Sequence, residues 1–371
     1  MKIAIYIPTA SFFVGGGEVV PLMQAQYLKN LVDSVDLITL KTEKRTDIFN
    51  TFIKKNPEIN IIYVDTPRNF EQFDRKEVTH KLGHEMYLAL SRDLQDIFFK
   101  NKYDFVITHY APAVFSIPAN TYQVLLLHGV PKEAEQINQI AVNSADMLIA
   151  VSESVKEGWE KLFTINNEIN VIHNGVDTRR FAPANIEQDI DILYVGRLIE
   201  IKGVQHLIKA IHLLSKKHKL NILIGGEGPY KEYLMSEVRN FGLEDAVKFG
   251  GYIPDDELLN VYQRSKVCIF PSYEKEGVLT TLLEASSCGK AVITSNCCGM
   301  IDLVKDNYNG LLFEPRNYKD LADKIEKVYL SSELRNFLGN NARNEVVKSW
   351  SWEKSASSLL DIINKNFYAT N

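Results

Sequence analysis

Cysteine is scarce in this chain: there are four in 371 residues, all between Cys268 and Cys298, and two of them are adjacent. Their number and crowding exclude the disulfide framework of a small secreted protein and read as reduced thiols, so the expected location is cytoplasmic. Charge of one sign is also missing. Lys and Arg number 42 against 47 Asp and Glu, a formal charge of −5 mixed through both halves, so no basic field advertises a nucleic-acid partner. Long apolar runs are absent too. The opening MKIAIYIPTA stops at Pro8 and leads into polar, Gly-rich residues, which suits a first strand and not a secretory leader. The stretch between Asp104 and Lys132 carries no Asp, Glu, Lys or Arg and is long enough to cross a bilayer. Pro112, Pro118, Asn120 and Gln123 interrupt it, however, so FVITHY and YQVLLLHG read as two buried strands joined by a loop, and no transmembrane span is expected.

What is present is a globular composition, 45% hydrophobic and 24% charged, in a chain long enough for two cores. Short apolar runs such as IAIYIP, VDLITL, INIIYVD, MLIAVS, DILYVGR, LNILIGG, VCIFPS and AVITS alternate with longer amphipathic segments. That alternation predicts parallel sheets covered on both faces by helices, and about a dozen strands suit two doubly wound sheets better than one. The linker is expected at APANIEQ. The reading is therefore an N-terminal α/β domain over 1–182, a second over 187–349, and a closing helical segment 350–371 that the pattern alone does not place. In such sheets ligands bind beyond the carboxyl ends of strands, so residues with chemistry should follow strands directly, in a cleft where the two domains face each other.

Three groups meet that test. Gly15, Gly16, Gly17 and Glu18 follow the first strand and open a helix with Pro21 in its first turn, where backbone amides can approach an anion. Gly196 and Arg197 follow DILYV, with Lys202 and Gly203 shortly after; an Arg and a Lys at a strand end can hold a diphosphate, one as a fork of donors and the other as a point charge. The tight turn around Glu227 after LNILIG is a similar corner. In SYEKEGVLTTLLEA, Glu276 and Glu284 stand eight apart. If a helix begins just after Glu276, both carboxylates line one edge and can accept bonds from a sugar diol. Glu284 sits among Leu282, Leu283 and Ala285 and so needs a partner.

With these groups in this order, the sequence resembles the retaining glycosyltransferases of GT-B fold known as family four, or glycosyl transferases group one. The resemblance rests on EGVLTTLLEA, on IHNGVDTRRF, YVGRLIEIKG, IGGEGP, FGGYIPDDEL and NGLLFEP, and on AVSESVKE and SWSWEKSA; it is strongest in the second half. It implies two Rossmann-like domains, a final helix 350–371 that packs back on the first of them, and transfer of a sugar from a nucleoside diphosphate sugar, UDP- or GDP-linked, to a hydroxyl of a glycan or lipid-linked acceptor; no cofactor is expected. By the same resemblance Arg197 and Lys202 clamp the diphosphate with Gly196 and Glu227 nearby, Glu284 holds the ribose, and Glu276, Val278 and Leu279 meet the donor sugar. Tyr252 and Ile253 contact the base through backbone, Gly16 and Gly17 approach the phosphates, His128 lies beside the transferred sugar, and Glu18 and His109 belong to the acceptor side.

The chain departs from the family at two turns. Gly277-Val278-Leu279 stands where the family has GFG, and Cys297-Cys298-Gly299 where it has a Gly-Gly turn, which bears on the identity of the sugar and not on the reaction. Asp189 and Asp191 match an Asp-x-Asp metal pattern but precede a strand, and read as linker acids. His80 and His84, at helical spacing, lack a third ligand, so no metal is assigned. The basic clusters Lys41 to Arg45, Lys54-Lys55 and Arg75-Lys76 admit peripheral contact with anionic lipid, though acids lie near each. A nucleotide-sugar epimerase or a sugar phosphorylase on the same architecture is the alternative. A Rossmann dehydrogenase lacks its full GxGxxG fingerprint here.

Overall fold

The computed structural model describes residues 1–13, 16–65, 93–131, 133–274 and 276–370. It divides into two compact units: Met1–His173 together with Trp352–Asn371, and Asn174–Ser351.

The first unit is built on a parallel sheet of seven strands. These are β1 (Lys2–Tyr6), β2 (Ser34–Leu40), β3 (Asn60–Val64), β4 (Phe105–Thr108), β5 (Tyr122–Leu127), β6 (Met147–Ala150) and β7 (Ile169–Val171), in the spatial order β3-β2-β1-β4-β5-β6-β7. The central strands are buried along their whole length, as continuous runs such as IAIY and FVIT require when helices cover both faces. Residues with side-chain oxygens start several flanking helices. Thr46 accepts from the Phe49 amide before helix Asp47–Lys55, and Ser152 accepts from the Val155 amide before helix Glu153–Leu162. The closing helix Trp352–Thr370 belongs to this unit: Ala356, Leu359 and Ile363 share a core with Leu22, Ala25 and Leu28 of helix Gly16–Leu28, and Ser355 Oγ donates to His173 O at 2.8 Å.

The second unit repeats the plan with β8 (Ile190–Val195), β9 (Ile222–Gly225), β10 (Val247–Gly251), β11 (Ser265–Phe270), β12 (Ala291–Ser295) and β13 (Leu311–Phe313), in the order β10-β9-β8-β11-β12-β13. The units part at Asn174, upstream of the APANIEQ segment. The reason is a set of bonds that hold 174–182 to the second unit: Val176 N bonds Trp350 O at 2.9 Å, and Arg343 donates to Thr178 O, Phe181 O and Ser287 O at 2.9, 2.8 and 2.8 Å.

Each strand order reverses once, between β1 and β4 in the first unit and between β8 and β11 in the second. At such a reversal the connecting segments leave to opposite faces and open a crevice beyond the strand ends. Among the described residues no helix is long and apolar enough to cross a membrane.

Candidate functional site

In the second unit the reversal point gathers most of the residues singled out above. Gly196 and Arg197 follow β8, and a short 3₁₀ turn, Glu200–Lys202, carries the lysine back over the end of β11. Gly203, which ends that turn at φ +73°, has no room for a side chain: a Cβ there would lie 2.0 Å from Pro271 O. Tyr273 N bonds Ile201 O at 3.1 Å, so the segments leaving β8 and β11 are tied together. The result is an ion pair between Lys202 Nζ and Glu276 Oε1 at 2.9 Å, with both side chains largely removed from solvent. A buried pair of this kind holds charge in a fixed place at a desolvation cost, which suits a binding site better than a stability device. Arg197 is exposed just past the end of β8, and its guanidinium has no hydrogen-bond or ion-pair partner among the described residues. Its carbonyl accepts from Tyr194 Oη at 3.0 Å, and burial and the Glu276 carboxylate hold that phenol far above its ordinary range.

The loop bearing Glu276 is fastened from the far side. Gly299 N bonds Glu276 O at 2.9 Å, and a Cβ on Gly299 would lie 2.4 Å from the Gly277 carbonyl carbon. The preceding Cys298 takes the left-handed φ of +58° that the turn demands, and its Sγ lies 3.3 Å from that of Cys297. The substituted turn after Glu276 sends its side chains inward: Val278 is in the core, and Leu279 packs half-buried against it.

Helix Thr280–Ser287 begins four residues after Glu276 and not just after it, so only half of the eight-residue spacing lies in the helix. One carboxylate is on a loop and the other on a helix. Glu284 is half-buried, and Tyr262 Oη donates to its Oε2 at 2.8 Å. Burial lifts this carboxyl to about 7, while the Tyr262 bond and the nearby Arg180 guanidinium act in the opposite sense. Arg180 is itself held by Asp255, Nη1 to Oδ2 at 2.9 Å, and by the Asp255 carbonyl. Two corners complete this end of the sheet. Glu227 pairs with Lys231 at 2.7 Å and accepts from Leu198 N through its carbonyl; Ile253 packs against Gly225, and Tyr252 is exposed.

The reversal point of the first unit is a separate polar cluster. Helix Gly16–Leu28 begins directly at Gly16, so Pro21 lies inside it and not in its first turn. Its missing N–H frees the Gly17 carbonyl from the ladder. Glu18 on that turn is 1% exposed and accepts at Oε1 from Thr9 Oγ1 at 3.2 Å and Tyr110 Oη at 3.1 Å. His109 follows β4 and His128 follows β5. These strands are neighbours with Thr108 opposite Leu125, so the two rings meet: His109 Nδ1 lies 2.7 Å from His128 Nε2, with planes 16° apart. Burial holds His128 down at about 4 and His109 well below its ordinary value, so both are neutral at pH 7. The turn after His128 is anchored by Trp159 Nε1, which donates to Gly129 O at 2.8 Å.

The competing motifs have structural explanations or fall outside the described residues. Asp189 forms a two-pronged bond with Arg264 at 2.8 and 2.5 Å, and Asp191 pairs with Lys266 at 2.7 Å while accepting from Asn221 N. These acids neighbour the start of β8, at the end of the sheet away from Lys202. Among the described residues no three or more His, Cys, Asp or Glu are grouped to hold a metal ion. His80, His84, Gly15 and the Arg75-Lys76 cluster lie outside the described residues. Tyr262 and Tyr110 carry no motif that marks them in the sequence. The strand order alone would have signalled Tyr110, since it places that residue beside the helix that follows β1.

Comparison with known proteins places this geometry in context. Residues 176–345 match the family described as Glycosyl transferases group 1, and residues 14–180 match Glycosyltransferase Family 4. A glycosyltransferase of Methanocaldococcus jannaschii is 28% identical over 247 residues, 62% of this chain and 63% of that protein, so the chain spans about three fifths of the length of such relatives. A capsular polysaccharide biosynthesis glycosyltransferase of Staphylococcus aureus is 26% identical over 350 residues, covering 82% of this chain and 90% of its own. Among solved structures, sucrose-phosphate synthase from Thermosynechococcus elongatus superposes with a TM-score of 0.83 at 21% identity, over 99% of both chains. An Anabaena protein in complex with UDP and glucose superposes with a TM-score of 0.78 at 20% identity, over 98% of this chain and 99% of its own.

Proposed function

We propose, from the premise that this chain belongs to the group 1 glycosyltransferases of GT-B fold, that it moves a sugar from a nucleoside diphosphate sugar to a hydroxyl of a glycan or lipid-linked acceptor, with retention at the anomeric carbon. The observation that carries the reading is the buried Lys202–Glu276 pair at the reversal point of the second unit, with Arg197 exposed just past the end of β8. One ammonium and one guanidinium at the end of β8 match a diphosphate, and two carboxylates after β11 match the hydroxyls of a sugar and a ribose.

The difficult step is departure of a multiply charged diphosphate from an oxocarbenium-like carbon. Lys202 is already held in place by Glu276, so its charge needs no reorganisation to stabilise the leaving group, and Arg197 adds a second cation. Glu276 then exchanges part of its contact with Lys202 for hydroxyls of the donor sugar. Glu284, ionised above about pH 7, accepts both ribose hydroxyls, while Tyr262 orients it. No carboxylate in this set is placed as a double-displacement nucleophile, and front-face attack with the leaving phosphate taking the acceptor proton fits the residues present. In the first unit His128 is assigned to the transferred sugar, and Glu18 and His109 to the acceptor side.

The Staphylococcus relative named for capsular polysaccharide synthesis supports a glycan or lipid-linked acceptor, and the Anabaena neighbour holding UDP and glucose supports a UDP-sugar ahead of a GDP-sugar. A release assay across UDP-, GDP- and ADP-sugars with and without acceptor lipids or glycans tests this. Purified Lys202→Ala is expected to lose activity by roughly 100-fold or more with its circular dichroism unchanged. Near-normal turnover in that variant refutes the assignment, and product formation that needs no acceptor would point to an epimerase. Chelation by EDTA is expected to leave the rate unchanged.

A further inference from the structure

We propose that His109 is a positioning residue that fixes His128 as the tautomer protonated on Nδ1. Two neutral imidazoles joined by one short contact share a single proton, so only two arrangements exist. In the first, His109 Nδ1–H donates to His128 Nε2, and His128 carries its own proton on Nδ1. In the second, His128 Nε2–H donates to His109 Nδ1, and His109 carries its proton on Nε2.

The surroundings of His109 discriminate between them. His109 is 3% exposed, and its Nε2 is buried with no hydrogen-bond partner among the described residues. The second arrangement strands an N–H donor at that atom. The first leaves only a ring lone pair, and orphaned buried N–H groups are the rarer and costlier defect in folded proteins. The 16° angle between the planes and the 5.0 Å centroid separation place each ring nearly in the plane of the other, as an N–H···N bond between imidazoles requires. Burial keeps both rings neutral, so the single shared proton persists through the physiological range. His128, unlike His109, is only half-buried.

The consequence is directional. His128 is committed at Nε2 as an acceptor, which leaves Nδ1–H as its one outward donor. It can therefore give a hydrogen bond to a sugar hydroxyl or a developing negative charge, and cannot remove a proton there. This rests on the reading that His128 lies beside the transferred sugar, but the tautomer does not.

The test is nitrogen NMR on the full chain labelled at the histidine rings, with the His109 and His128 signals assigned by their loss in His109→Asn and His128→Gln. The expected spectrum has both rings protonated at Nδ1 and bare at Nε2. In His109→Leu the donor is gone, and His128 is expected to shift toward the Nε2-protonated form, with kcat lower by roughly 10- to 100-fold, the scale on which the second partner of a working imidazole acts, and donor KM little changed. His109→Asn places an amide N–H near the former Nδ1 and is expected to restore both the tautomer and most of kcat. A wild-type spectrum with His128 protonated at Nε2 overturns the proposal, whether or not the leucine variant folds. A His128 that keeps Nδ1–H in His109→Leu overturns it too. Full activity in His128→Gln with the expected tautomers would refute instead the placing of His128 beside the sugar.

Discussion

Glutamate 284 offers the sharpest perturbation, because its proposed role and its contribution to stability pull in opposite directions. Its carboxyl stands at about 7, against an ordinary value of 4.5, and the first cause is burial. A carboxyl whose value is raised on folding binds a proton in the native state that the unfolded chain has already released, so stability falls as pH rises through that window. Below about pH 4.5 the group is neutral in both states and costs nothing; above about pH 7 it is charged in both, and the folded chain bears the whole penalty. A rise from 4.5 to about 7 corresponds to about 3 kcal/mol. Glu284→Gln keeps an oxygen to accept from Tyr262 Oη and removes the charge. The variant should therefore be more stable than the wild type by up to about 3 kcal/mol at pH 8.5 and equal to it at pH 4.5. Urea unfolding at several pH values reads this directly, and the difference between the two proteins cancels every other titrating group. Calorimetry with UDP or GDP should show the variant binding roughly 10-fold or more weakly, since it can no longer accept two hydroxyl bonds as an anion. Wild-type affinity should decline as pH falls below about 7, where the carboxylate is lost. A variant no more stable than wild type at pH 8.5, or one equally stabilised at both pH values, refutes the reasoning.

The other predictions concern the supports of the site. Gly299→Ala puts a Cβ against the Gly277 backbone, which cannot yield as a flexible side chain would, so the Glu276 loop must move. Initial-rate kinetics should show kcat reduced by roughly 10- to 100-fold, with stability lowered by only about 1 to 3 kcal/mol; a fully active variant would show that the fastening is irrelevant. Arg343→Ala removes a guanidinium that holds Thr178 O, Phe181 O, Ser287 O and Ser287 Oγ, and should cost about 3 kcal/mol in urea unfolding with no new pH dependence. Asp189→Asn breaks only the exposed pair with Arg264, so it should change stability by about 1 kcal/mol or less and leave the rate unaltered with or without added manganese.

Much of the architecture is legible in the chain because parallel strands buried on both faces leave a strong mark. Runs such as IAIY, FVIT and DILYV need no partner information to be recognised, and the residues that follow them mark the chemical end of each sheet. Boundaries were less legible. Pro183 points to a linker after residue 182, but the division falls at Asn174 because Arg343, far along the chain, bonds the carbonyls of Thr178 and Phe181. A loop position for Glu276 and a helical one for Glu284 are legible in the sequence, but the helix begins four residues past Glu276 and not just after it. Their nearness to one end of the sheet comes instead from a loop pinned by Gly299 and a helix that starts only at Thr280.

The sequence by itself determined the fold class, the family and the residue types available at the strand ends, since these depend on local pattern and on motifs read in order along the chain. Only the tertiary structure decided which of those residues work together. Lys202 and Glu276 are 74 positions apart and become an ion pair because β8 and β11 are neighbours in the sheet. His109 meets His128 and Tyr110 meets Glu18 for the same reason, while Tyr262 meets Glu284 because the helices before and after β11 pack against each other. Strand order is set by how helices and sheet bury their apolar faces together, and that is a property of the whole packed unit which no single segment carries.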